Sequence, residues 1–209
     1  MTAARLADMD PRVTAVLEDY DARIRAERQS RGSVRDGGAD MRMLAIGPDT
    51  GRLMNILIRS LDAPNVLEIG TSFGHSTIWL AQAAKAQGGR VVTMEQQAHK
   101  SAHASEMAAK AGLVEHVDFQ VGDALKMIPD LPGTLDFVFL DLWKDLYAPC
   151  LDAFYPKLAP GAIIVADNMI RPGGPAIDAY SKALRRKPGI DSILLPVGTG
   201  IEVSRFMPR

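Results

Sequence analysis

Between residues 65 and 186 the chain alternates short apolar runs with segments of helical periodicity. NVLEIG is followed by TIWLAQAAKAQ, RVVTME by SAHASEMAAKAG, VDFQVG by a short helix near Leu125, LDFVFLD by LYAPCLDAFYPKL, and AIIVAD by AIDAYSKALRR. Runs that are apolar on both faces suit strands covered from both sides, and strands joined through helices pair in parallel. The pattern therefore predicts one mostly parallel α/β sheet with helices on both faces. The tail changes character: DSILLPV and GIEVSRFM are strand-like runs separated by Gly198, Thr199 and Gly200. They predict a C-terminal antiparallel hairpin, hence an antiparallel edge to the sheet.

Ahead of the alternation, residues 11–28 place Val13, Val16, Leu17, Tyr20 and Ile24 at helical spacing with charges between them, which predicts an amphipathic helix. SRGSVRDGGAD, residues 30–40, is rich in Gly, Ser and charge and reads as a mobile loop, placed to act as a lid. GPDTGRLMNILIRSL predicts a second helix with Leu53, Ile56, Leu57 and Leu61 as its apolar positions. A chain of 209 residues fits one domain with one substantial core. We read residues 1–42 as a helical extension and loop, and residues 43–209 as the core.

Lys and Arg total 24 against 25 for Asp and Glu, without a dominant basic cluster. Nucleic acid is therefore not the expected partner. Cys150 is the sole cysteine, which excludes an intrachain disulfide and a thiolate metal cluster. The start, MTAARLADMDPR, lacks the apolar run of a signal peptide, and no apolar stretch reaches membrane-spanning length. A cytoplasmic protein that does not enter a membrane is the expectation.

The chemistry gathers at strand ends. FVFLDLWKD puts Asp141 at the end of one apolar run, and AIIVADN puts Asp167 and Asn168 at the end of another. In open α/β sheets ligands bind outside the carboxyl ends of the strands, so both ends face one crevice. Three hard oxygen donors converging there suit a divalent cation such as magnesium. Lys144, three residues after Asp141, is close enough to act as a base on a group that the cation holds. The first strand ends in Glu68-Ile69-Gly70-Thr71-Ser72-Phe73-Gly74-His75-Ser76, a glycine turn that lets a ligand approach backbone N–H groups. Glu95 ends the next strand about 25 residues after Gly70, where an acidic side chain accepts from both hydroxyls of a ribose. A nucleoside-bearing cofactor is implied. Gly70 and Gly74 do not make the G-x-G-x-x-G dinucleotide fingerprint, which disfavours NAD.

VLEIGTSFGHSTIWLA, VVTMEQ, GDAL, FVFLDLWKDLY and GAIIVADN occur in this order over residues 43–206. Together they resemble the cation-dependent, S-adenosylmethionine-dependent O-methyltransferases, the group that contains catechol and caffeoyl-CoA O-methyltransferases. DLWKDLY is similar to the catechol enzyme, and LLPVGTGIEVSRF to the caffeoyl-CoA and bacterial branch. The resemblance implies a Rossmann-like seven-stranded sheet, a small aromatic acceptor with vicinal hydroxyls, and a homodimer in contact through the N-terminal helix or the terminal hairpin. It gives Glu95 the ribose hydroxyls, Ser76 and the backbone near Ile46 the methionine carboxylate, and Gly70 the methionine moiety with Glu68 supporting the turn. Gly122, Asp123, Ala124 and Trp143 would line the adenine. Asp141, Asp167 and Asn168 would hold the cation, Asp141 would also approach the cofactor's amino group, and Lys144 would be the general base.

Plainer roles exist for each residue. Asp141, Asp167 and Asn168 suit turns and helix caps, and Trp143 suits a hydrophobic cover. Lys144 alone suits a solvated loop. His99 and His103 stand one helical turn apart without a third ligand and read as solvent-facing. Cys150 reads as a small buried side chain. The catechol enzyme has a further acid that bonds an acceptor hydroxyl, and this chain offers no clear equivalent. Glu202 is the nearest late acid and reads as an outward strand side chain, while MIRPGGPAID with Arg171 is placed to shape the acceptor pocket. A nicotinamide-dependent oxidoreductase and a non-catalytic cofactor-binding protein are the competing classes.

Overall fold

The computed structural model describes residues 9–29, 35–36 and 39–208. The elements run α1 (Pro11–Gln29), β1 (Arg35–Asp36), β2 (Ala39–Asp40), α2 (Pro48–Ile58), β3 (Asn65–Ile69), α3 (His75–Ala86), β4 (Arg90–Glu95) and α4 (Ala98–Lys110). They continue with β5 (Val117–Val121), α5 (Ala124–Met127), β6 (Leu135–Leu140), α6 (Tyr147–Phe154), β7 (Leu158–Ala166), α7 (Pro175–Arg186), β8 (Ile190–Leu195) and β9 (Ile201–Phe206). Most of the segment read as a lid lies outside the described residues. Its described part is a two-stranded antiparallel ladder, Arg35 opposite Asp40 and Asp36 opposite Ala39.

The main sheet has seven strands in the order β5-β4-β3-β6-β7-β9-β8. β5, β4, β3, β6 and β7 are parallel, while β9 is antiparallel to both β7 and β8. The terminal hairpin forms as expected, but its second strand is interior. β9 inserts between β7 and β8, and β8 is the edge at this end of the sheet. Burial agrees with this order: β9 buries Ile201, Glu202 and Ser204, whereas β8 leaves Ile193 58% and Leu194 43% exposed.

Side chains alternate across each strand, so one strand feeds two cores. Phe137 and Phe139 of β6 enter a cluster with Met54, Ile78, Trp79 and Val165, which also takes Val13, Val16, Leu17 and Tyr20 of α1. Val138 and Leu140 enter the opposite cluster with Leu67, Ile69, Tyr147, Phe154 and Tyr180. Truncating a fully buried aromatic such as Phe139 to alanine costs about 3–5 kcal/mol, because the cavity left behind collapses only in part.

The sequence reading of α2 holds in part: Leu53, Leu57 and Leu61 pack half-buried against the core, but the fully buried positions are others. Thr50, Gly51, Met54, Asn55 and Ile58 are buried, and Ile56 is 59% exposed. Close packing against α3 selects this face: a Cβ on Gly51 would stand 2.7 Å from Trp79 Nε1, and Asn55 Nδ2 donates to Trp79 O at 3.2 Å. Glu202 is likewise not outward. It is 1% exposed and accepts from Ser181, Ser192 and Arg185, which satisfies its carboxylate within the fold.

Register places the strand ends in one row. Ile69 is opposite Met94 of β4 and Leu140 of β6, and Leu140 is opposite Ala166 of β7. The next residues, Glu95, Gly70, Asp141 and Asp167, therefore lie side by side across four adjacent strands. The chain order reverses between β3 and β6, the switch point at which open α/β sheets bind ligands.

Candidate active site

A cavity of about 420 Å³ lies over this row, and its walls include Ile46, Gly70, Glu95, Gly122, Asp123, Ala124, Asp141, Trp143, Lys144, Asp167 and Asn168. All but two of the residues singled out from the sequence thus meet at one cavity. Glu68 and Ser76 are the two that do not line it. Glu68 is fully buried behind the row, where the hydroxyls of Ser76, Thr77 and Thr93 donate to it. Burial pushes its carboxyl up to about 7, against the pull of those three hydroxyls. Ser76 spends its one proton on this buried carboxyl.

Gly70 has φ +105°, and a Cβ there would fall on the Asp141 carbonyl. Glycine is what lets β3 and β6 stay this close at the point where the cavity begins. Glu95 Oε2 accepts from Ser72 N at 2.9 Å, and Oε1 from Gln97 N at 3.0 Å. A carboxylate offers about four acceptor positions, so two remain for a vicinal pair of hydroxyls, the arrangement a ribose presents. Asp123 caps α5 by accepting from Leu125 N at 3.0 Å. Trp143 is 64% exposed at the cavity wall, which rules out the plainer role of core cover and leaves its face open to a planar ligand.

At the other end Asp141 and Asp167 follow adjacent strands. Asp141 Oδ1 accepts from Lys144 Nζ at 3.2 Å. Asp167 Oδ1 accepts from Asn168 N and from Thr199 Oγ1, both at 2.7 Å, while Asn168 Nδ2 donates to Thr199 Oγ1 at 2.9 Å. Three oxygens have no hydrogen bond among the described residues: Asp141 Oδ2, Asp167 Oδ2 and Asn168 Oδ1. Burial pushes the Asp141 carboxyl up to about 6, Lys144 lowers it, and the neighbouring Asp167 raises it. Two carboxylates desolvated side by side with free oxygens fit a divalent cation, whose charge relieves both penalties. Among the described residues no group of three or more His, Cys, Asp or Glu is placed to hold a metal. The candidate set is two aspartates completed by an asparagine.

Asn168 has φ +59°, a left-handed conformation that asparagine tolerates better than most residues. The tip of the terminal hairpin supports it: Met169 N, Ile170 N and Arg171 N donate to Gly200 O and Thr199 O at 2.8–3.1 Å. Lys144 Nζ also donates to Tyr147 Oη at 2.8 Å, and Tyr147 Oη in turn reaches the carbonyls of Leu140 and Asp167.

Sequence reasoning missed Thr199, Tyr147, Ser72 and Lys100, although each touches this site. Thr199 was readable only as a hairpin tip, and Tyr147 only as an apolar helix position. Cys150 lines the cavity from α6, and burial pushes its thiol up to about 12, so it is an inert wall. His99 is exposed, as expected, while His103 is half-buried. Their rings pack edge-on to Phe73 with centroids 6.2 and 5.4 Å away.

Residues 31–207 match the family described as O-methyltransferase. A catechol O-methyltransferase of Mycobacterium tuberculosis is 37% identical over 165 residues, 74% of this chain and 74% of that protein. A catechol O-methyltransferase of Niastella koreensis is 34% identical over 139 residues, 65% of this chain, and the match spans 62% of that relative's length. Among solved structures, the O-methyltransferase TomG of Streptomyces achromogenes, in complex with S-adenosylmethionine, has a TM-score of 0.76 at 26% identity, covering 98% of this chain and 93% of that one.

Proposed function

This chain belongs to the O-methyltransferase family, and we propose that it transfers the methyl group of S-adenosylmethionine to a hydroxyl of a catechol-like aromatic, with a divalent cation, magnesium, as cofactor. The observation that carries this reading is the row itself. A ribose-competent carboxylate, a tight glycine turn, two desolvated aspartates and an amine share one cavity, and three acceptor oxygens at its acidic end have no hydrogen bond among the described residues.

Asp141, Asp167 and Asn168 would hold the cation. A divalent cation in such a set lowers the pKa of a hydroxyl that it binds and fixes the orientation of two vicinal oxygens. S-adenosylmethionine supplies an electrophilic sulfonium methyl. Glu95 orients the nucleoside through its remaining acceptor positions, and Trp143 covers the adenine beside Gly122, Asp123 and Ala124. Lys144 Nζ, positioned by its hydrogen bonds to Asp141 Oδ1 and Tyr147 Oη, accepts the proton of the acceptor hydroxyl. Catechols are supported as acceptors by the names of the relatives and by the Asp141/Asp167 pair, which suits chelation of a vicinal diol.

The same reading treats residues 1–209 as one methyltransferase unit, because α1 shares a hydrophobic core with α3. It places the enzyme in the cytoplasm, in keeping with the finding that no helix among the described residues is long and apolar enough to cross a membrane. The exposed apolar positions of the edge strand β8 favour a homodimer through the terminal hairpin.

Incubation with S-adenosylmethionine, magnesium and matched vicinal diphenols and monophenols, read by mass spectrometry, tests the acceptor class. Monomethylation of the diphenols and none of the monophenols is the expected result. Equal methylation of both would overturn the chelation argument.

A further inference from the structure

Two residues of the cavity wall hold backbone conformations that side chains disfavour, and one helix outside the sheet holds both. Leu44 has φ +39° and Ser72 has φ +47°, and both line the cavity. A residue other than glycine stays in the left-handed region only where its surroundings over-determine it. Beside Ser72, the carbonyl of Phe73 accepts from Tyr20 Oη at 2.5 Å, and Arg23 lies over the Phe73 ring with Cζ 4.4 Å from the centroid. Beside Leu44, Met43 N donates to Glu27 Oε2 at 3.0 Å, and Met41 O accepts from Arg23 Nη2 at 2.8 Å. Arg23 Nε also donates to Glu27 Oε1 at 3.2 Å. One guanidinium of α1 therefore reaches the anchors of both strained residues.

The two stretches meet only in the folded chain. Ser72 N donates to Glu95 Oε2 at 2.9 Å, so the turn that carries Phe73 also fixes the carboxylate expected to take the ribose. Leu44, Ala45, Ile46 and Gly47 form a second part of the wall. The spacing of these two parts governs where a bound cofactor lies. The other recorded neighbours of the Phe73 ring, Lys100, His99 and His103, all belong to α4, so Arg23 is the tie between this ring and α1. Arginine suits the task, because its planar fork donates in fixed directions while its face stacks on a ring, which the point charge of a lysine cannot do at once.

We propose that Arg23 is a positioning residue: its guanidinium holds the Phe73 turn and the Met41–Met43 stretch in fixed relation, and so sets where the sulfonium methyl stands against the acceptor. The proposal rests on the S-adenosylmethionine reading given above. It predicts an effect confined to the cofactor, because the acidic end built from Asp141, Asp167, Asn168 and Thr199 has no hydrogen bond from α1 among the described residues.

Steady-state kinetics of the full chain with Mg²⁺ test it. Arg23→Met should lower kcat/KM for S-adenosylmethionine about tenfold, the scale of a small misplacement of reacting groups. The KM for catechol and the affinity for Mg²⁺ should stay within about twofold, since no group that binds either is touched. Arg23→Lys should fall between parent and Arg23→Met. Tyr20→Phe, which frees the Phe73 carbonyl, should lower the same parameter, and the two losses combined should be less than additive in free energy because both act on Phe73. Val13→Ala, a core position on the same helix, should lower the melting temperature and leave the kinetics unchanged at temperatures below the melt. If Arg23→Met does not fold, Arg23→Lys and Tyr20→Phe carry the test. Unchanged kcat/KM, an equal loss of catechol and Mg²⁺ affinity, or the same kinetic loss in Val13→Ala would overturn the proposal and leave the methyltransferase reading standing. If the unaltered chain methylates no catechol, that reading fails by itself. Calorimetry with S-adenosylhomocysteine then decides the role of Arg23, and equal affinity in parent and variants overturns it.

Discussion

Tyr147 Oη accepts a hydrogen bond from Lys144 Nζ at 2.8 Å and lies within 3.1 Å of two carbonyls, those of Leu140 and Asp167. Its single proton is committed to those carbonyls, and burial pushes its pKa well above the ordinary value, so it stays a neutral hydroxyl. Tyr147 can therefore only accept from Lys144. It fixes where the amine sits. Tyr147→Phe should lower kcat about tenfold by freeing the amine, with the KM for cofactor unchanged, and should cost about 1 kcal/mol of stability. Steady-state kinetics and thermal melts check the two parts separately.

Thr199 serves the acidic end from the tip of the terminal hairpin. It donates to Asp167 Oδ1 and accepts from Asn168 Nδ2, which fixes both groups through one hydroxyl. Thr199→Val, which preserves volume, should weaken divalent-cation affinity about 10–100-fold, as loss of an outer partner of metal ligands does. Titration with Mg²⁺ or Mn²⁺ measures this, and cofactor affinity should be unaffected.

Glu68 gives the protein a pH signature of its own. Its carboxyl titrates at about 7 in the folded chain against an ordinary value of 4.5. Between those values the folded chain holds a proton that the unfolded chain has released, so this group favours folding fully below about 4.5 and loses that contribution as pH rises through about 7. His75 acts in the opposite sense, since burial lowers it to about 4. Its contribution is lost as pH falls from its ordinary 6.5 through that value. Melting temperatures of the parent and Glu68→Gln across this range separate the two. The parent should lose stability relative to the variant as pH rises, and parallel curves would contradict the assignment.

The strand row was legible because a parallel strand announces its own end: the last apolar residue of VLEI, FVFL and IIVA fixes where Gly70, Asp141 and Asp167 emerge. What failed needed contacts between distant segments. The exposure of Ile56 and the full burial of Thr50 and Gly51 on α2 follow from Trp79 packing against Gly51, which no local periodicity records. Glu202 looked solvent-facing on its own strand, but Arg185 lies 17 residues away in sequence and supplies its counter-charge. Thr199 and Tyr147 carry ordinary turn and helix residue types, and only the fold shows that both converge on Asp167. The buried Lys100 gives no sign in the sequence, because a lysine in the first turn of a helix is normally solvated.

Cation dependence is the central claim, and its most direct test is methyl transfer from labelled S-adenosylmethionine to catechol by metal-stripped protein titrated with Mg²⁺, beside Asp167→Ala under the same conditions. The account predicts turnover that is abolished by chelator, restored with saturation by Mg²⁺, and lowered at least about 100-fold in the variant, the scale set by loss of a group that stabilises developing charge. Full turnover by the stripped protein with chelator present would contradict it.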